Sequence, residues 1–533
     1  MKTRLREHSL DWALTHLCRY CDSDLFPRMF EFNAIRHNWR EVKSHLLAIN
    51  LDKHVPQPLL MRFAPKLTGA QRIVQRLDPI DSLIYTAMVH EILETATGGH
   101  DPEAARFASL RVQKNADGSF FSTARNAWQQ HSQRVEALAR KHKDGYVLMA
   151  DIMNFFGHIQ PRRLDRVLAE LPVRDADMAR QLSRFLAALS PTSVRGIPVG
   201  PAASTVLSEI VLADIDRKLH SCTADFARWG DDMRLFFATR EEAQEALRNL
   251  SDYLHATHEM IFGLEKTRVM PVDQFMARYF RGLPEETVAA GPAETRLSQF
   301  VGQNIGLTHH YAWGTSAVPD SQPMQVYLQL QALPEFQTVE KAYLICFNKA
   351  VASDPPDLLA AKRILRKAAA FRIRNLIPGT LENFDRLMMV IREAGTYLRA
   401  VLGGEETRKY AVQLRDIWEN RLQGNSYFHD WMCHVFTNPG LDEVDLPANY
   451  STVVSVRNQA LLALRRRDAD WIRKHAAHLA NLDSWDRRAV LYACMALPPG
   501  ERAHIMGAAQ ARGEIVDRSI VRYVEAVAGR PES

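Results

Sequence analysis

The chain has 533 residues, 46% of them hydrophobic, which is enough for about three or four domain-sized units with packed cores. Its 67 basic and 62 acidic residues leave a net charge of +5, so any nucleic-acid binding must come from local patches and not from a globally basic chain. No apolar stretch reaches membrane-spanning length, the N-terminus is not a signal peptide, and six irregularly spaced cysteines do not form a disulfide framework. We therefore expect a cytoplasmic protein without a membrane partner.

Residues 65–73 carry two cations, Lys66 and Arg72, and lead into the segment 77–85. Taken alone, such cations are typical of solvated loops. They precede an ordered series of further segments, described below, and within that series they are candidate binding residues.

A run of apolar and small residues, 146–150, leads directly into Asp151. This pattern predicts a buried strand that ends on a carboxylate. A buried strand rarely ends on an unpaired charge, so Asp151 is a candidate functional residue. Two aromatic residues, Phe155 and Phe156, follow it.

A loop rich in glycine and proline, residues 196–204, comes next. After it, apolar residues recur at every fourth position and predict one apolar face of a helix. These residues are Leu207, Val211, Ile215 and Leu219.

Two adjacent carboxylates, Asp231 and Asp232, have apolar and aromatic residues on both sides, within residues 226–236. Strand alternation and a tight turn predict a hairpin with both acids at its tip. Such a pair is also typical of a solvated turn, but a third acid upstream favours a buried site. Buried acids this close repel each other unless a cation neutralises them, and Mg²⁺ prefers carboxylate oxygens.

The segments occur in a defined order: a strand ending in Asp151, a Gly-Pro loop with a helix, the Asp231–Asp232 hairpin, and a turn at 262–269 that carries Lys266. This series resembles the motifs of reverse transcriptase palms, and residues 65–85 resemble the fingers motif of the bacterial enzymes. The resemblance covers about residues 25–275. It implies an α+β fold with right-hand polymerase fingers and palm, in which helices accompany an antiparallel palm sheet.

The resemblance implies nucleotidyl transfer with two Mg²⁺ ions, or Mn²⁺ in their place. Asp151 and Asp231 would bridge the ions and Asp232 would lie beside them. Ile152 would offer a backbone carbonyl in the same motif.

The resemblance also assigns the substrate side of the site. Lys66 and Arg72 would hold the incoming triphosphate, Gly200 would lie at the nucleotide, and Lys266 would act near the pyrophosphate as a proton donor. Phe156 would lie against the sugar and exclude a 2′-hydroxyl, which favours deoxynucleotides. The aromatic residue matters because RNA-dependent RNA polymerases also carry a Gly-Asp-Asp hairpin.

Two positions depart from the family pattern. Val199 stands where many reverse transcriptases have a glutamine, and the hairpin has Trp229 and Gly230 where Tyr and Ala or Met are more usual. The loss of a polar contact at Val199 suggests relaxed dependence on a template.

Composition changes after about residue 280. Residues 282–286 and 289–292 suggest a linker, and the pattern is helical almost throughout from residue 324. We divide the chain into 1–145 (N-terminal and fingers region), 146–280 (palm), 281–323 (linker or thumb-like connection) and 324–533. The last region is predicted to be all-α and helical-repeat-like.

A run of cations at 362–374 contains no acid in the sequence, and Arg363, Arg366 and Lys367 belong to it. At helical spacing these side chains would track a phosphate backbone. A solvated helix face is an equally good interpretation, and both stay open.

A reverse transcriptase core followed by a helical tail resembles the abortive-infection and related defence-associated enzymes of bacteria. This implies antiviral defence, homo-oligomerisation, and use of dNTPs to make DNA. In some members it implies synthesis without a template, primed by a protein tyrosine, for which Tyr20 is one candidate. Two alternatives stay open: an RNA-templated enzyme of the retron or intron type with a non-coding RNA partner, and a catalytically inactive RNA-binding scaffold.

Overall fold

The computed structural model describes the chain in fourteen ranges, and every structural statement below concerns them: residues 3–95, 112, 115–121, 124–170, 176–189, 196–279, 285–304, 308–309, 316–317, 324–403, 405–422, 424–438, 440–441 and 454–528. Within these ranges helices predominate and the strands form three small antiparallel sheets, in agreement with an α+β fold. None of the helices described is long and apolar enough to cross a membrane.

The eight strands are short and lie mostly in the first half of the chain. They are β1 (Leu60–Pro65), β2 (Gln71–Arg76), β3 (Tyr146–Asp151), β4 (Phe226–Trp229), β5 (Asp232–Phe237), β6 (Arg268–Pro271), β7 (Thr308–His309) and β8 (Ser316–Ala317).

The first twelve α-helices precede or surround the strands. They are α1 (Glu7–Tyr20), α2 (Glu31–His37), α3 (Trp39–Ala48), α4 (Pro79–Thr95), α5 (Ala124–Lys141), α6 (Phe155–His158), α7 (Pro161–Glu170), α8 (Ala176–Ala188), α9 (Ala202–Cys222), α10 (Arg240–Tyr253), α11 (Val272–Tyr279) and α12 (Glu285–Asn304).

Twelve more follow. They are α13 (Met324–Gln331), α14 (Pro334–Ala352), α15 (Leu358–Phe371), α16 (Ile377–Glu382), α17 (Ile391–Val401), α18 (Glu405–Asp416), α19 (Ser426–Phe436), α20 (Val456–Arg466), α21 (Ala469–Ala476), α22 (Ser484–Ala493), α23 (Pro499–Arg512) and α24 (Ile515–Val527).

The central sheet has the strand order β4-β5-β3-β6, and all its neighbours are antiparallel. Both of its faces are buried. Leu148 and Ala150 of β3 point into one hydrophobic cluster, while Val147 and Met149 point into another that includes residues of α5 and α11. Burial on both faces explains why the sequence leading to Asp151 is apolar without alternation.

The helices after residue 324 contribute to two different cores. Those from α13 to α19 form one hydrophobic cluster with the β1–β2 hairpin. Apolar residues of α20 to α24 belong to the cluster that also contains α1, α2, α4, α9 and one face of the central sheet. The region predicted as one helical domain therefore belongs to two hydrophobic cores, each of which it shares with the preceding chain.

Successive long helices of this region pack on one another in chain order. The series runs through α12, α14, α15, α17, α19, α20, α22 and α24. Its last member, α24, packs on α2, so the end of the helical series returns to the beginning of the chain.

The prediction of a linker at residues 289–292 is wrong, because these residues lie inside α12. Pro292 is within the helix, but Leu297 and Val301, one turn apart, are fully buried and hold it in place. Residues 282–284 of the predicted linker lie outside the described ranges.

A buried ion pair joins α20 to α2. Arg457 donates through Nη1 to Glu31 Oε1 at 2.5 Å and through Nη2 to Oε2 at 2.9 Å. The Glu31 side chain is 0% exposed. Burial opposes its ionisation, but the facing guanidinium holds the pKa of Glu31 below its ordinary value.

We expect Arg457→Met to lower the free energy of unfolding by about 3–5 kcal/mol, because it leaves the Glu31 carboxylate buried without its cation. Urea unfolding measured by circular dichroism checks this. Arg473→Met is the matched control, since the Arg473–Glu501 pair is 45% and 43% exposed, solvent screens its charges, and its loss should change the free energy of unfolding far less. Equal losses in the two variants would contradict the prediction.

Candidate active site

Three carboxylates meet at one end of the central sheet. Asp151 is the last residue of β3 and lies opposite Asp232, the first residue of β5. Asp231 lies in the two-residue turn between β4 and β5, after Gly230. Gly230 has φ +58°, a left-handed conformation suited to glycine at the first central position of a tight hairpin turn.

Backbone hydrogen bonds bring the turn with Lys266 against the same point. The amide of Gly263 donates to the carbonyl of Asp151 at 2.7 Å, and the amide of Ile152 donates to the carbonyl of Asp231 at 3.3 Å. Lys266 Nζ lies 2.8 Å from Asp151 Oδ1. Residues from three separate segments are thus held together at the end of the sheet.

The surroundings of the acids raise the pKa of two of them. Burial, together with the charge of Asp151, raises the pKa of Asp231 to about 7. Burial also raises the pKa of Asp151, although Lys266 opposes the shift. Desolvated like charges at close range are relieved by a cation, and a set of carboxylate oxygens fits a hard divalent ion.

Asp232 differs from the other two acids, because its own strand neutralises it. Arg234, two residues along on the same face of β5, donates to both carboxylate oxygens of Asp232, at 2.5 and 2.9 Å. Asp151 and Asp231 are therefore better suited as principal metal ligands.

A buried arginine positions the turn that carries Asp231. The side chain of Arg228 is 1% exposed and pairs with two carboxylates of α9, donating to Asp216 at 2.7 Å and to Glu209 at 3.0 and 3.2 Å. Its Nη1 also donates to the carbonyl of Gly230 at 3.1 Å. One guanidinium thus ties the hairpin turn to the long helix.

The glycine-proline loop lies against the aromatic pair after Asp151. The amide of Ile197 donates to the carbonyl of Phe156 at 2.9 Å. Phe155 is buried and Phe156 is half-buried, with their rings edge to face and 5.8 Å apart. Phe155 is therefore a core residue, whereas Phe156 is partly accessible.

Two further contacts fix the loop. Val199 and Gln75 exchange hydrogen bonds: the Val199 amide donates to Gln75 Oε1 at 3.2 Å, and the Gln75 amide donates to the Val199 carbonyl at 3.3 Å. Gly200 has φ +132°, and a Cβ added there would lie 2.4 Å from Ser23 Oγ. Both the conformation and the space require glycine at this position.

The β1–β2 hairpin places Lys66 and Arg72 in different surroundings. Lys66 is exposed in the turn, and its charge acts to lower the pKa of Asp151, so it lies within electrostatic range of the acids. Arg72 is half-buried and faces the helical region, where Arg392 is its main charged neighbour besides the effect of burial. The structure therefore brings Lys66 into the electrostatic surroundings of Asp151, and Arg72 into those of Arg392 and Glu393.

The three cations predicted to contact nucleic acid also differ from one another. Arg363 is exposed on α15. Arg366 donates to Glu393 of α17 at 2.8 Å, and Lys367 lies 3.2 Å from Glu294 of α12. Acids from other helices thus reach a run that contains none in the sequence.

Sequence reasoning missed Arg228, Glu209, Asp216 and Gln75. A signal for the first three was present: an arginine inside an apolar strand needs a buried partner, and two acids seven residues apart share one helix face. Tyr20, the candidate primer, is buried and donates to Asp117 Oδ2 at 2.7 Å, which is not the exposed position that priming requires.

Comparison with known proteins gives one family match. Residues 65–302, a little under half of the chain, match the family model described as reverse transcriptase (RNA-dependent DNA polymerase). None of the curated proteins matches the chain.

Two solved structures of telomerase from Candida tropicalis are similar over most of the chain. The apo enzyme has 8% identity and a TM-score of 0.30, with 75% of this chain and 74% of that chain covered. The complex with the TWJ fragment of telomeric RNA has 11% identity and a TM-score of 0.31, with 74% and 67% covered. At such TM-scores neither structure supports an assignment. The family match shows that the chain contains a reverse transcriptase domain, which indicates RNA-directed DNA polymerase activity.

Proposed function

We propose that the protein is a DNA polymerase that adds dNTPs by two-metal nucleotidyl transfer. The observation that carries the proposal is the meeting of Asp151, Asp231 and Asp232 at one end of the sheet, where the pKa of Asp231 is raised to about 7 by burial and by Asp151. A divalent cation is the partner that such a group of carboxylates favours.

Asp151 and Asp231 would hold a pair of Mg²⁺ or Mn²⁺ ions, with Asp232 and the Ile152 carbonyl beside them. Ions bound there would make the attacking hydroxyl more acidic and neutralise the leaving pyrophosphate. Burial acts to lower the pKa of Lys266, but the hydrogen bond and the charge of Asp151 raise it above its ordinary value. Lys266 therefore keeps a proton on Nζ, which it would donate to the leaving group.

The remaining residues would bind the nucleotide. Lys66 at the hairpin turn would attract the triphosphate, and Arg72 lies further along the same hairpin. Gly200 and the neighbouring loop would line the nucleotide site. The accessible part of Phe156 would lie against the sugar and exclude a 2′-hydroxyl.

We further propose a place for the enzyme among the bacterial defence-associated reverse transcriptases. The support is Val199 in place of a polar residue and a helical series after the polymerase core. On this proposal the enzyme acts in the cytoplasm against phage as a homo-oligomer, and DNA synthesis proceeds without a template from a protein primer. The helical region would be repeat-like, and Arg363, Arg366 and Lys367 would contact the DNA product or an RNA.

We expect Asp231→Asn to reduce dNTP incorporation about 10³-fold, because a principal ligand and its charge are lost. Asp232→Asn should reduce it only about 10–100-fold, since Arg234 occupies both oxygens of that acid. The measurement is incorporation of labelled dNTPs with Mg²⁺, with an RNA template and in its absence. A fully active Asp231→Asn variant would exclude Asp231 as a principal metal ligand, whereas a wild type that incorporates no dNTPs would exclude the polymerase and favour the scaffold.

In metal-free buffer we expect Asp231→Asn to stabilise the protein at about pH 8, by about 1–3 kcal/mol. The folded-state pKa of about 7 lies above the ordinary value of 3.8, so the folded protein binds more protons than the unfolded chain between these values. The free energy of unfolding of the wild type therefore falls as pH rises through this window. The asparagine variant has no carboxyl to ionise at this position and does not lose this stability.

Urea unfolding in EDTA at about pH 8 and about pH 4 measures the difference, which should vanish at the lower pH. Adding Mg²⁺ at pH 8 should return the wild type to the stability of the variant or above it. Asp252→Asn, at an exposed position of α10, is the control. If the stability difference between Asp231→Asn and the wild type is the same at both pH values, it does not come from ionisation of Asp231.

We expect Phe156→Ala to admit ribonucleotides and to lower the preference for dNTPs by about 10–100-fold, because the ring no longer blocks the 2′-hydroxyl. Phe156→Tyr keeps the ring and should keep the preference. Incorporation of dGTP and GTP in competition measures the ratio, and a ratio unchanged in the alanine variant would remove Phe156 from sugar selection.

A further inference from the structure

Four cations from three elements converge where the β1–β2 hairpin meets the helical region. Arg72 is on β2, Lys362 and Arg366 are on α15, and Arg392 is on α17. The strand register explains the approach. Arg72 pairs with Ala64, and Ala64 is buried against the helical region, so that face of the hairpin points toward α15 and α17.

Two carboxylates hold the cluster together. Arg392 donates to Glu393 Oε1 at 2.6 Å and to Asp24 Oδ2 at 3.2 Å. Arg366 donates to the same Glu393 oxygen at 2.8 Å, and Lys362 Nζ lies 3.8 Å from it. A single carboxylate oxygen is thus shared by three cations, and the side chain of Glu393 is only 4% exposed.

Arg72 adds an unsatisfied donor to this group. Its Nε atom is buried and has no hydrogen-bond partner in the described part of the chain. Buried donors are nearly always satisfied in folded proteins, so a half-buried arginine with a buried spare donor among like charges is suited to an acceptor of negative charge. The excess of positive charge also affects Lys362. Burial and the three arginines outweigh the attraction of Glu393 and lower the pKa of Lys362 to about 8.

The cluster adjoins the nucleotide side of the proposed active site. Asp24 follows Ser23, which lies against Gly200, and Val199 packs on the same hydrophobic core as α15 and α17. An anion held by the cluster would therefore lie near the loop at residues 196–200.

We propose that Arg72, Lys362, Arg366 and Arg392 form a site for phosphate groups, to which the helical region supplies three of the four cations. The phosphates would come either from the triphosphate of a nucleotide or from the backbone of a nucleic acid strand. This inference rests on the proposed function for its choice of phosphate, but binding is measured independently of catalysis.

The test uses full-length Asp231→Asn protein in EDTA, so that neither turnover nor metal affects binding. The probes are inorganic tripolyphosphate and a short oligothymidylate, titrated by calorimetry and by fluorescence anisotropy at several salt concentrations. The variants are Arg72→Gln and Lys362→Gln. Lys362→Gln leaves Glu393 with both of its arginines, so the fold should hold, and thermal unfolding checks this. Lys349→Gln, at an exposed position of α14, is the matched control.

A loss of about tenfold or more in tripolyphosphate affinity in both variants would support a nucleotide triphosphate as the ligand. Weaker oligothymidylate binding, with a salt slope reduced by about 0.7 for each lost contact, would support the nucleic acid backbone. If both variants bind both probes as the control does, the site does not exist. That result would leave the proposed polymerase activity untouched. Conversely, a wild type that binds the probes but incorporates no dNTPs would overturn the proposed activity and leave the phosphate site standing.

Discussion

The position of the turn that carries Asp231 depends on the buried guanidinium of Arg228. It joins two acids of α9 to the carbonyl of Gly230, the residue before Asp231. A cation this deeply buried keeps a fixed position, because both of its partners would otherwise be left uncompensated in a low dielectric. The same helix begins directly after the loop that contacts Phe156. One rigid element therefore sets the relative positions of the turn with Asp231 and the loop beside Phe156.

The cluster of acids is a local source of instability that the rest of the fold must tolerate. Burial disfavours the charge on Asp151 and Asp231, and the neighbouring cation Lys266 compensates only in part. The sheet holds these groups together because its interior is packed on both faces. Groups whose pKa values are shifted by burial and by a like charge are typical of functional sites, and the physical reason is visible here.

The β1–β2 hairpin links the helical region to the acids. One face carries Arg62, which pairs with Asp430 of α19 at 2.8 Å, and Val74, which is buried in the core formed by α13 to α19. The other face exposes Phe63 and Ile73 to solvent. Because the helices pack against one face of the hairpin, they also determine where Lys66 lies relative to Asp151. The helical region is thus part of the architecture of the site and not a separate appendage.

Much of the central sheet and of the acid cluster follows from the sequence alone. The apolar run before Asp151 predicts a buried strand, and the glycine before two acids between apolar segments predicts the hairpin, because both signals arise from local preferences and periodicity. The succession of amphipathic patterns after residue 324 likewise predicts helices, and the structure has them there. A local pattern also gave a wrong prediction. Pro292 suggested a linker, whereas burial of Leu297 and Val301 keeps that segment helical.

Only the tertiary structure decided which charges are partners. The cation run at 362–374 contains no acid in the sequence, yet Glu393 and Glu294 reach Arg366 and Lys367 from other helices. Arg228 pairs with two acids of α9, and Arg72 of the hairpin lies among charged groups of α17. Periodicity along a chain records which face of an element is apolar. Ion pairs between distant segments depend on how the elements pack, and a single sequence carries no record of that packing.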